Sequence, residues 1–246
     1  MLDTSYSILF LIILPVIAFL YASVGHGGAS GYLALMALFS FAPEAMKPTA
    51  LLLNLFVAAI AFYHYYKAGY FNKKLFFSFA LASVPLAFLG GMIDVDASIY
   101  KKILAVLLIF AILKILNVFD KETSQIKDVK IWQGIVIGAV IGFFSGLIGI
   151  GGGIILSPVI LLLHWGKMKE AAAVSALFIW VNSAAGLAGQ FSNGLTLDSQ
   201  LFLLVGMALM GGFFGSYLGS KQFNNKSLRY VLASVLIIAS IKLITI

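Results

Sequence analysis

Two glycine-rich breaks interrupt the apolar runs of this chain, one in each half. The first is Ser23-Val24-Gly25-His26-Gly27-Gly28-Ala29-Ser30-Gly31 and the second is Gly146-Leu147-Ile148-Gly149-Ile150-Gly151-Gly152-Gly153. Glycines at this density unwind a helix, and unwound backbone is tolerated at membrane depth only where protein or a water-filled cavity receives its freed polar groups. Corresponding breaks in two halves of a membrane chain point to a transporter's binding site. Any fold for this chain must shelter two irregular segments.

Composition places those breaks in a bilayer. Of 246 residues, 62% are hydrophobic and 10% charged, and the mean hydropathy is +1.07. A soluble domain carries about 25% charged residues. The apolar runs are continuous rather than alternating, which predicts an all-α polytopic membrane protein and excludes a β-barrel. The net charge of +7 does not imply nucleic acid, because the lysines lie in short loops between spans, where they report orientation. There is no cysteine, so disulfides, thiol catalysis and Cys-based metal sites are absent. The residues call for no metal and no cofactor. The first run lacks a basic n-region and an A-x-A site, so it is expected to be retained rather than cleaved.

Ten apolar segments are expected, at roughly 7–22, 28–41, 49–66, 75–92, 100–118, 131–148, 153–165, 171–190, 200–219 and 228–245. The most polar gap, Asp120 to Lys130, separates the halves. The expected organisation is one membrane domain over residues 1–246, with repeats of about 7–118 and 131–245 joined by a charged cytoplasmic loop at 119–130. Shifted by 124, Gly25, Gly27 and Gly28 fall on Gly149, Gly151 and Gly152. Shifted by 126, Thr49-Ala50-Leu51 falls on Ser175-Ala176-Leu177; shifted by 128, Leu104, Leu108 and Lys114 fall on Leu232, Leu236 and Lys242. Leu, Ala and Gly are abundant enough to match by chance, but three ordered blocks with drifting offsets favour duplication.

The basic residues choose between two topologies. If each break is the tip of a hairpin, twelve of the 16 Lys and Arg residues share one side, leaving Lys47, Lys101, Lys102 and Lys242 on the other. If each break kinks a single crossing helix, they divide eight and eight. Cytoplasmic faces carry an excess of Lys and Arg, which selects the hairpin. Length agrees, since residues 7–41 as one helix would run ~52 Å against a hydrocarbon core of ~30 Å. Five segments per half is an odd number, so the repeats are expected to be inverted with both termini outside. Hairpin arms of about 13 to 16 residues are short for a full crossing, which favours partial penetration.

A helix that starts after a Gly-rich turn directs unpaired N–H groups and about half a positive charge at the gap, and an anion is its natural guest. Gly25, Gly27 and Gly28, with Gly149, Gly151, Gly152 and Gly153, let backbone approach such a ligand; the competing reading is close helix packing by small residues. Ser30 and Ser157 lie just beyond the breaks and either donate to the ligand or bond their own helices. His26 is the titratable group inside a break and the candidate for proton coupling, with Ile150 as its repeat mate. Thr49 and Ser175 lie near the start of the third segment of each half. Ser175, Asn182 and Gly189 recur every seven residues and share a helix face, and Asn54 is read as the corresponding amide of the first half. Interhelical hydrogen bonding is the alternative role for these four polar residues. His64 and His164 read as interfacial residues. No Asp or Glu falls deep in a span, which argues against a carboxylate cation site.

Around these residues the chain resembles the TauE/SafE sulfite-exporter family of prokaryotic anion permeases. The carrying segments are Val24 to Leu33 (VGHGGASGYL), Met46 to Asn54 (MKPTALLLN) and Gly149 to Pro158 (GIGGGIILSP). The resemblance covers essentially the whole chain and implies transport of sulfite, thiosulfate, sulfonates or related organic anions across the bacterial inner membrane. The family's proline after the Gly loop is present as Pro158 and replaced by Ala34 in the first half, which with His26 suggests a distinct subgroup. The partners expected are a small anionic substrate and the lipid bilayer, with a homodimer left open. A passive anion channel is the nearest rival. Gly28-Ala29-Ser30-Gly31 also matches a nucleophile turn of a serine hydrolase, but a base within hydrogen-bond reach of the serine would be needed.

Overall fold

The computed structural model describes residues 4–115, 126–196 and 200–222, with 237, 240 and 241. Among these residues the regular structure is helical throughout: α1 (Thr4–Ala22), α2 (Ala29–Leu38), α3 (Pro43–Lys67), α4 (Lys73–Met92), α5 (Ala97–Ile115), α6 (Ile131–Ile148), α7 (Gly153–Leu162), α8 (Met168–Ser192) and α9 (Gln200–Gln222). Apart from Ile237, Ser240 and Ile241, the expected tenth segment at 228–245 lies outside the described residues, as do residues 119–125 of the expected loop.

Local chemistry sets the helix ends. Pro43 opens α3, where its fixed φ suits a first turn and its missing N–H is not needed. The helix therefore begins six residues before the expected 49 and takes in Lys47 and Pro48. The Asn72 side chain accepts the Leu75 N–H at 3.1 Å and caps α4. The Glu170 carboxylate accepts the Lys167 N–H at 2.8 Å at the start of α8. Gly28, at φ 102°, precedes α2 and Gly152, at φ 78°, precedes α7, in the left-handed region that only glycine enters without strain.

Both breaks are hairpin tips. Phe10 near the start of α1 stacks on Phe41, 5.1 Å between centroids, and meets Phe39 edge-on at 5.4 Å, both beyond the end of α2. Gly31 packs against Ile17 and Tyr21, so α2 folds back along α1. In the second half the Lys127 N–H, ahead of α6, reaches the His164 carbonyl, beyond α7, at 2.7 Å. Helices α2 and α7 have 10 residues each, ~15 Å of rise, about half of a ~30 Å core. Neither is long enough to cross that core by itself. Five other helices are long and apolar enough to cross a membrane: Pro43–Lys67, Lys73–Met92, Ile131–Ile148, Met168–Ser192 and Leu201–Lys221.

The packing partners come in exchangeable pairs. Helix α1 lies along α9 as α6 lies along α4, α3 touches α9 as α8 touches α4, and α2 rests on α3 as α7 rests on α8. At the centre α3 and α8 run antiparallel: Leu51 lies beside Gly186, Asn54 bonds Ser183, and Tyr65 packs with Ala172.

Glycines at four-residue spacing make the tightest seams. Gly138, Gly142 and Gly146 of α6 press against the carbonyls of Phe79, Ser83 and Ala87 on α4. Gly211, Gly215 and Gly219 of α9 press in the same way against Pro15 and Phe19 of α1 and Ser23 just beyond it. This is the small-residue packing that membrane helices use when lipid removes the hydrophobic drive between them. The outer surface carries Leu81, Phe202, Trp132, Ile12 and Phe214, all more than half exposed, a belt that suits acyl chains rather than water.

Candidate functional site

Asn54 and Ile179 stand at the midpoints of α3 and α8, each helix being 25 residues long. The two breaks meet there. A methyl group on Gly27 would strike the Asn54 side chain and Ile179; one on Gly151, from the other half, would strike the same two residues and approach Ser183. Gly153 also packs on Ile179. Only bare backbone lets two loops and two helices share this volume. Asn54 is fully buried; its Oδ1 accepts the Ala29 N–H at 3.1 Å and its Nδ2 donates to Ser183 Oγ at 3.4 Å. The amide thus caps α2 from a neighbouring helix. By contrast, among the described residues no protein acceptor takes the N–H groups of Gly151, Gly152, Gly153 or Ile154 at the amino end of α7. Those buried donors present positive potential to the gap.

The contacts around the two breaks are matched between α3 and α8. Gly25 packs on Ala172 and Gly149 on Lys47, while Gly27 and Gly151 share Asn54 and Ile179. In these contacts the partners on α3 and α8, Lys47 with Ala172 and Asn54 with Ile179, stand 125 residues apart. Asn54 thus shares its glycine contacts with Ile179. The shared volume is lined by an amide on one side and hydrocarbon on the other.

A second polar group crosses between the halves. The His26 Nδ1 lies 2.9 Å from the Val24 carbonyl, which accepts only from an N–H. In the neutral ring this leaves Nε2 as an acceptor 3.1 Å from Ser157 Oγ, whose one proton it shares with the Gly153 carbonyl at 3.2 Å. Ser175 Oγ is 2.7 Å from Ser157 Oγ and donates to it in turn. Thus His26 from the first break, Ser157 of α7 and Ser175 of α8 form one chain of hydrogen bonds, all three buried. The equivalent positions in the other half are Ile150, Leu33 and Ala50, so the chain occurs once.

Other expected site residues are engaged locally. The Thr49 hydroxyl donates to Ala45 of its own helix at 2.6 Å. Ser30 donates to the Tyr21 hydroxyl at 2.8 Å, so the nucleophile turn suggested by Gly28 to Gly31 has no base at its serine. Asn182 donates to the Phe178 carbonyl at 2.7 Å, and its Oδ1 has no partner among the described residues. Gly28 lies under the ring of Tyr32, and Gly152 against Ile141 and Phe178. Gly25 and Gly149 mark the outer edges of the breaks.

Several residues here were not legible as site residues in the sequence. Tyr65 donates its hydroxyl to the Ser23 carbonyl at 3.1 Å, and Tyr100 donates to the Ile148 carbonyl at 2.9 Å, so each break is pinned near its start. Lys47, 8% exposed and beside Gly149, donates to the carbonyls of Gly91 and Ile93 at 3.0 and 3.1 Å and so caps α4. Lys169 donates to the Ser220 carbonyl of α9 at 3.3 Å and to the Tyr70 hydroxyl at 3.2 Å. Pro43-Glu44 ahead of Lys47 is the signal that would have drawn this lysine into the helix rather than leaving it in a loop.

Comparison with known proteins agrees with this architecture. The sulfite exporter TauE/SafE family matches residues 9–243. A probable membrane transporter protein of Sinorhizobium fredii, y4hK, is 36% identical over 234 residues, covering 93% of this chain and 94% of its own. A probable membrane transporter protein of Methanocaldococcus jannaschii, MJ0441, is 25% identical over 202 residues, covering 76% and 74%. YjnA of Bacillus subtilis, likewise a probable membrane transporter protein, is 27% identical over 244 residues, covering 89% and 92%. No solved structure matches the chain. With the family matched over nearly its full length, and with two Gly-tipped hairpins meeting between long apolar helices, the chain belongs to the TauE/SafE sulfite exporter family of membrane transporters.

Proposed function

We propose that this protein is a secondary transporter of a small sulfur-containing oxyanion, such as sulfite, thiosulfate or an organosulfonate, across the bacterial inner membrane. The observation that carries the reading is the meeting of Gly27 and Gly151 at Asn54 and Ile179, with the free N–H groups of α7 directed into the same region. Donors without protein acceptors, in a region lacking carboxylates, favour an anion over a cation. The midpoint position on two 25-residue helices suits a site reached alternately from either side.

In this reading the chain is one membrane domain of two inverted repeats with both termini outside. The antiparallel pairing of the equivalent helices α3 and α8 is the relation that inversion produces. Rocking of the repeats about the α3–α8 contact gives alternating access. The chain from His26 through Ser157 to Ser175 supports proton coupling, because protonation of the ring makes Nε2 a donor and reverses the direction in which Ser157 bonds.

The test is counterflow in proteoliposomes with sulfite, sulfate, thiosulfate and methanesulfonate. Saturable counterflow of one of these is the expected result. Unsaturable flux identifies a channel, and no flux of any of them removes the anion reading. Anions that are carried should also raise the melting temperature in detergent, and Gly152→Leu should abolish that rise.

A further inference from the structure

We propose that the Tyr32 hydroxyl is an anion-binding donor of the first break, holding an oxygen of the bound anion over the amino end of α2. The assignment rests on the anion reading above and adds a side chain to it.

Tyr32 has no exposed surface, and its hydroxyl has no hydrogen-bond partner among the described residues. Buried hydroxyls are almost always paired, so an orphan asks for a missing guest. Its position indicates where that guest lies. Tyr32 is the fourth residue of α2, and helical side chains lean toward the amino end. The phenol accordingly reaches back to the break: a methyl group on Gly28 would stand 2.6 Å from the hydroxyl oxygen. The hydroxyl thus lies over the left-handed glycine that opens α2, where Gly27 and Gly28 have N–H groups that no protein acceptor takes.

The second half shows that packing does not require this oxygen. The fourth residue of α7 is Leu156, fully buried. Hydrocarbon fills that slot in one half, whereas in the other an aromatic ring fills it and adds a polar atom with nothing to bond. The backbone N–H groups can only donate and the phenol O–H can donate beside them, a set that suits the oxygen of an oxyanion. The two breaks are therefore unequal: the first offers a side-chain donor at its helix start, and the second offers backbone alone.

The test is Tyr32→Phe in the full chain, which keeps the ring and removes the oxygen. Counterflow and melting temperature are measured with sulfite, sulfate, thiosulfate and methanesulfonate. The expected result is a half-saturating concentration raised about 10-fold or more for the carried anion, with an anion-free melting temperature equal to or above that of the wild type. Unchanged half-saturation in Tyr32→Phe overturns the role of Tyr32 while the anion reading stands. A wild type that carries none of the four anions overturns both. An anion-free melting temperature several degrees below wild type marks the hydroxyl as structural and overturns the assignment.

Discussion

Asn54 of α3 and Ile179 of α8 pack against the same pair of glycines, Gly27 and Gly151. One is an amide that caps α2 through the Ala29 N–H, and the other is hydrocarbon. Two similar Gly-rich loops thus reach one point, and their surroundings there differ. The proposed anion would meet a polar wall and an apolar wall there, an arrangement suited to a ligand with a charged end and a less polar remainder.

Asn54→Asp places a carboxylate at the meeting point. Anion-induced stabilisation and counterflow should both be abolished, because a buried negative charge repels the proposed substrate. Asn54→Ser keeps a small polar group and should retain weakened transport. Equal activity of the two variants would separate Asn54 from the site.

Removing Ser157 breaks the polar chain at its centre, leaving His26 Nε2 and Ser175 Oγ without this partner. Ser157→Ala should destabilise the protein by about 1–3 kcal/mol, the penalty for unpaired buried polar groups. A cycle with His26→Gln should show coupling of about 0.5–3 kcal/mol in unfolding measured in detergent. If His26 carries the coupling proton, His26→Gln also removes the pH dependence of uptake.

The glycine seams predict opposite outcomes for one substitution. Gly142→Ala and Gly215→Ala drive a methyl into the carbonyls of Ser83 and Phe19, and should lower stability by about 1–3 kcal/mol as the helices separate. Gly206→Ala, with nothing within 4 Å among the described residues, should be neutral or stabilising by up to about 1 kcal/mol. Melting temperatures of the three variants decide the point.

Lys47 closes the end of α4 with two charge-assisted hydrogen bonds while buried beside the second break. Lys47→Met should destabilise the chain by about 1.5–3 kcal/mol. Lys169→Met, whose side chain is half-buried, should have a smaller effect. Thermal unfolding reads both.

Orientation is directly measurable because the chain has no cysteine of its own. Lys74 and Asp128 form an ion pair at 3.3 Å on one face, and single cysteines there should react with an impermeant maleimide only after cells are opened. Cysteines at Asp96 and Lys102, beside the start of α5, should react in intact cells. The reverse pattern would invert the proposed topology.

The sequence alone determined the parts that depend on bulk properties. Apolar length and low charge dictated a helical membrane protein, and the lysine distribution chose hairpins over kinked spans, because moving charge across a bilayer is costly whatever the fold. The glycine clusters were visible because a break in a long helix is a local event. Gly142 and Gly215 were less legible: four-residue spacing reads as packing only once the carbonyls of Ser83 and Phe19 are found opposite them. The pairing of Asn54 with Ile179 was beyond reach for the same reason, since a one-residue register error turns a helix by 100° and exchanges the residues that face a neighbour. Lys47 and Tyr32 entered the site only through contacts with α4 and Gly28. Sequence determined which segments enter the membrane, and where they break. Tertiary structure decided which side chains the breaks meet, because that depends on the rotation and register of helices far apart in the chain.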